Sequence, residues 1–138
     1  MSILKDILRR ERGEVESVQL QPVEPAVLWS LRPGAIRING LVSTGSEIEI
    51  YEAVWNTGQA KSLPFSGMPF DQIVAVTHGL SERGLVGLMP EHSVGPGWNT
   101  WELTERGKKV LQAVYRKDTD FQSAISVSVP KEAAWQTV

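Results

Sequence analysis

The 138-residue sequence contains no cysteine. That excludes disulfides, thiolate metal sites and a cysteine nucleophile, and it fits a reducing compartment. Histidine is scarce, with only His78 and His92. A zinc site would need both, plus carboxylates such as Glu82 or Glu91; solvated or packed histidines are the commoner arrangement. No nucleophile elbow or Ser-His-Asp pattern occurs. Gly95-Pro96-Gly97 lacks the Lys-Ser/Thr and the helix start that cradle phosphate. The expectation is a non-enzymatic chain with no cofactor. A cationic excess is missing as well: 14 bases face 16 acids, a net charge of −2. No segment is a polycation, so contact with nucleic acid requires a local patch. Long apolar runs are also lacking. The opening MSILKDILRRERG is broken by Lys5 and Asp6. It is too polar for a signal-peptide core and too short to span a bilayer. Cytoplasmic residence and no membrane partner are expected.

What is present suffices for one packed domain. Hydrophobic residues make up 41% and charged residues 22%, ordinary globular shares. Five tryptophans (Trp29, Trp55, Trp98, Trp101 and Trp135) argue against a largely disordered chain. Ile3, Leu4, Ile7 and Leu8 share one face of a short helix over 2–12, which Gly13 stops. Residues 14–42 read as a β-rich arm. Val15, Val18 and Leu20 are separated by polar residues, Pro22 and Pro25 interrupt helix, and Ala35 to Gly40 alternates into an Asn-Gly turn. A short helix from Pro25 through Leu31 is the other reading.

The centre is helical. Ser46 caps a helix over 46–56 with Glu47 and Glu49 in its first turn. Its stripe is Ile48, Tyr51, Val54 and Trp55, though Glu47-Ile48-Glu49-Ile50 also alternates as a strand does. Asn56-Thr57-Gly58 is its expected end. A Gly/Ser/Pro-rich loop follows, with room for one helical turn at 59–63. The next helix spans 69–84, with Phe70, Ile73, Val74, Thr77 and Leu80 at helical spacing and Gly84 as its stop. LVGLMP (85–90) and Trp98 to Leu103 read as two strands around a Gly-Pro-Gly turn. Thr104 then caps a helix with Val110, Leu111, Val114 and Tyr115 inward. In the tail, SAISVSV reads as an edge strand.

Two stretches carry a family signature. LSERGLV (80–86) supplies Leu80, Arg83, Gly84, Leu85 and Val86. WELTERGKKVL (101–111) supplies Leu103, Thr104, Gly107 and Leu111. In this order, across a glycine-rich loop, they resemble the winged helix-turn-helix domains of bacterial MarR- and PadR-type regulators. The resemblance covers about the middle half of the chain. It implies an α+β fold with a winged-helix core at 46–117, an N-terminal helix and β arm at 1–45, and a C-terminal tail at 118–138. It further implies a dimeric transcription regulator with helix 69–84 in a DNA major groove and a wing at 86–103. Gln72, His78 and Ser81 would then read base edges, Arg83 would reach phosphate or guanine, and Lys61, Lys108 and Lys109 would add charge. Asp71, Glu82 and Glu91 are acids on the same elements. They keep open a second function: a protein-interaction adaptor or inhibitor on the same scaffold, with Trp98 and Trp135 as interface candidates.

Overall fold

A computed structural model of the chain describes residues 15–33, 44–61, 63, 65–93, 95, 98–117 and 124–130. The expected helix at 2–12, the strand at 35–39 and Trp135 lie outside the described residues. Within them the fold is mixed α+β. In chain order it runs β1 (Val15–Leu20), α1 (Val23–Ser30), β2 (Thr44–Ser46), α2 (Glu47–Lys61), α3 (Phe70–Glu82) and β3 (Val86–Leu88), then a single 3-10 turn (Pro90–His92), β4 (Thr100–Leu103), α4 (Glu105–Lys117) and β5 (Ile125–Pro130). The strands form two antiparallel sheets, a β1–β5 ribbon and a three-stranded sheet ordered β2–β4–β3.

Helix α1 replaces part of the expected β arm. Pro25 does not break it, because it falls in the first turn, where backbone N–H groups have no intrahelical acceptor. The Glu24 carboxylate accepts the Gln21 N–H at 2.7 Å. Ala26, Val27, Leu28 and the following Leu31 are almost wholly buried. Burying each large aliphatic contributes about 1.5–3 kcal/mol, so this helix is the centre of the core and not an appendage. The ribbon packs on the same core. Val18 pairs with Val127, and Leu20 with Ile125; Val18, Leu20, Val127 and Val129 are all buried. The N-terminal arm and the tail therefore meet in one ribbon.

Helix α2 starts with a reciprocal capping box: Ser46 N–H donates to Glu49 Oε1 at 2.9 Å, and Glu49 N–H donates to Ser46 Oγ at 3.2 Å. This satisfies two donors at the helix start and decides the strand-or-helix ambiguity of Glu47-Ile48-Glu49-Ile50. The fully buried residue is Ile50, while Ile48 is only half-buried. The helix runs past its expected end to Lys61. Gly58 is not a stop. A Cβ there would stand 2.8 Å from Ser66 Cα, so glycine lets the α2–α3 connection cross the helix.

Helix α3 ends in a Schellman motif. Leu85 N–H donates to Leu80 O at 3.0 Å and Gly84 N–H to Ser81 O at 2.9 Å. Gly84 has φ 77°, a conformation glycine adopts without a Cβ penalty. Leu85 is then pulled into the core. Thr104 makes the join between β4 and α4. Its N–H donates to Leu85 O at 3.2 Å. Its hydroxyl donates to Gly84 O at 2.6 Å and accepts the Gly107 N–H at 2.9 Å. One threonine thus caps α4 and ties it to the end of α3. On α4, Val110, Leu111 and Val114 are buried as expected; Tyr115 is 54% exposed and stacks on Trp29 at a centroid distance of 5.2 Å.

Candidate nucleic-acid interface

The amphipathic period of α3 decides which side chains it can offer. Ile73, Thr77 and Leu80 are buried, and the Thr77 hydroxyl donates to Ile73 O at 2.9 Å. Asp71, Ala75, His78 and Glu82 recur at i, i+4, i+7 and i+11, and all four are exposed. They form the outward ridge. Gln72 is exposed on one flank of it, and Ser81 is half-buried on the other.

His78 is anchored. Its ring meets Trp101 edge-on at 4.9 Å, and its Nε2 lies 3.8 Å from Glu47 Oε2. Glu47 is 2% exposed and accepts the Trp101 indole N–H at 3.3 Å. This node joins the start of α2, the middle of α3 and strand β4. It couples the outward ridge to the three-stranded sheet, and its buried carboxylate had no signal in the sequence beyond a favourable helix start.

Arg83 is engaged. Its guanidinium donates to Gln19 O at 2.8 Å and pairs with Glu24. Both partners belong to the β1–α1 unit. Arg106 on α4 pairs with Glu16 of β1 in the same way. Lys61 ends α2 on an exposed position. Lys108 pairs with Glu105 at 3.2 Å, and Lys109 is exposed. The polar candidates Gln72, His78 and Ser81 thus share one helix. The cations stand apart, Lys61 at the end of α2 and Lys108 and Lys109 early in α4.

The β3–β4 hairpin has a braced base. Met89 N–H donates to Thr100 O at 2.8 Å, Thr100 N–H to Ser93 Oγ at 3.0 Å and Thr100 Oγ1 to His92 O at 3.1 Å. Glu91 and His92 are exposed there, and Trp98 is 57% exposed. Helical periodicity points Trp55 inward, but it is 42% exposed on α2. Among the described residues no group of three or more His, Cys, Asp or Glu is placed to hold a metal, and no helix is long and apolar enough to cross a membrane. Comparison with family models, curated proteins and solved structures finds no match to this chain.

Proposed function

We propose that this chain is a winged helix-turn-helix transcription regulator that lays α3 in the major groove of duplex DNA and sets the β3–β4 hairpin against the backbone. The observation that carries the reading is topological. The order α1, β2, α2, α3, β3, β4 with a sheet ordered β2–β4–β3 supports the reading, as does the ridge of Asp71, Ala75, His78 and Glu82, which is exposed along α3 among the described residues. A major groove about 12 Å wide admits such a helix. Gln72, His78 and Ser81 supply amide, imidazole and hydroxyl groups for base edges, and Lys61 and Lys109 supply charge for phosphates.

Titration of the chain with random-sequence duplex over a salt series tests this. Binding at low salt that weakens as salt rises is expected, by a slope of about 0.9 per phosphate neutralised. A chain that ignores duplex DNA even at low salt overturns the reading.

One observation favours a second reading. The outward ridge of α3 carries Asp71 and Glu82, and Arg83 beyond it is paired with Glu24. An acidic ridge repels phosphate and suits a basic protein surface. On that reading the chain is a non-enzymatic adaptor or inhibitor. Failure of DNA binding together with saturable binding to a protein selects it.

A further inference from the structure

We propose that the outer ridge of α2 is a docking site for one cationic side chain, an arginine or lysine, presented by a partner protein. The inference does not depend on DNA binding. Tyr51, Glu52, Trp55 and Asn56 line a notch of about 240 Å³ on this ridge. The volume is below the range typical of small-molecule sites, roughly 300–1,000 Å³, and suits a single long side chain.

Its walls are preset. The Tyr51 and Trp55 rings stand 6.4 Å apart with a tilt of 38°. Behind Tyr51, Phe70 at the start of α3 packs in T-shaped contact at 5.5 Å. An isolated exposed tryptophan needs no explanation. Here the exposed Trp55 completes a cluster of three contacting aromatic rings from two helices, so little ordering is left to do on binding.

The charge of the notch fixes the sign of its occupant. Glu52 is exposed and belongs to none of the salt bridges among the described residues. Glu49, one turn before, is committed to its capping box. Asp71 is exposed next to Phe70, and Lys61 lies at the far end of the helix. Aromatic ring faces carry negative electrostatic potential, Glu52 a full negative charge, and the Asn56 amide an acceptor oxygen. All three attract a guanidinium or ammonium group. Tryptophan and arginine are also the side chains that most often dominate protein interfaces.

A selection of random dodecapeptides on the full chain tests this. Enriched peptides are expected to share an Arg or Lys. Replacing that residue by neutral citrulline or by norleucine lowers affinity about tenfold, and Glu52→Gln and Trp55→Ala each do the same. In a double-mutant cycle, Glu52→Gln and the peptide substitution are non-additive. Glu102→Gln, an exposed acid on strand β4, changes affinity less than twofold. Enriched peptides that ignore Glu52→Gln and Trp55→Ala overturn the proposal. So does an equal loss with Glu102→Gln, which would mark general attraction to an acidic surface. A normal melting curve for Trp55→Ala separates loss of binding from loss of fold.

Discussion

Gly107 is the residue on which the most structure converges. An ideal Cβ at this position would overlap the Leu85 carbonyl oxygen and stand 2.9 Å from its carbon. That carbonyl accepts the Thr104 N–H, so displacing it also breaks the join between β4 and α4. Gly107→Ala is expected to destabilise the chain by about 3 kcal/mol or more, the upper end of overpacking costs. Gly79 is the matched contrast. It lies inside α3, and a Cβ there meets nothing within 4 Å. Gly79→Ala is expected to stabilise by about 0.5–1 kcal/mol through helix propensity and a less flexible unfolded chain. Urea denaturation of both variants checks the pair; equal midpoints would refute the close packing at Gly107. The WELTERGKKVL motif marks Gly107 without giving its reason. The reason is a carbonyl 22 residues earlier in the chain.

At the scale of elements, the joins were more legible than the ends. The change from alternation to helical spacing at Thr104 locates the start of α4, and the Arg83-Gly84-Leu85 sequence locates the end of α3. Both depend on local backbone chemistry, which local sequence encodes. The end of α2 was not legible, because Gly58 serves a tertiary contact with Ser66 and resembles a helix stop only in sequence. Helix α1 was half legible, since proline tolerance depends on which turn the proline occupies. The β1–β5 register joins residues more than a hundred positions apart, such as Ser17 and Ser128, and across the ribbon's diagonal the Ser17 and Ser126 hydroxyls meet at 2.7 Å. Alternation identifies each strand and says nothing of its partner. Period alone points Trp55 and Tyr115 inward, yet both are exposed; they sit at the edge of their stripe, where burial depends on the neighbouring helix. The clearest test at this scale is the Thr104 hydroxyl. Thr104→Val keeps the shape and removes two hydrogen bonds, so a loss of about 1–2 kcal/mol is expected. Thr104→Ser keeps both bonds and should recover most of it. Similar melting temperatures for Val and Ser variants would refute the capping role.

At the scale of the whole molecule, the β1–α1 unit holds the two arginines that bracket the β3–β4 hairpin, Arg83 after α3 and Arg106 at the start of α4. Glu24 and the Gln19 carbonyl hold Arg83, and Glu16 holds Arg106. The exposure of Gln72 and His78 was readable from period. The engagement of Arg83 was not, because Glu24 lies 59 residues away in sequence. This pairing has a functional consequence on the DNA reading. A cation already neutralised by a carboxylate contributes little to counterion release when a phosphate approaches. Arg83→Gln is therefore expected to leave the duplex affinity of the chain nearly unchanged. Glu24→Gln releases the guanidinium at the end of α3, so affinity at low salt should rise and the log–log salt slope should steepen by about 0.9, one added phosphate contact. Stability should fall by no more than about 1 kcal/mol, as the Arg83 side of the pair is partly solvated. The Glu24→Gln, Arg83→Gln double variant removes the released charge, and its slope should return to that of the parent chain. An unchanged slope in Glu24→Gln, in a chain that does bind duplex, would place Arg83 outside the interface. The acidic ridge of Asp71 and Glu82 would then face the DNA with no cation at that end of α3 to offset it, and the protein-partner reading would become the stronger one.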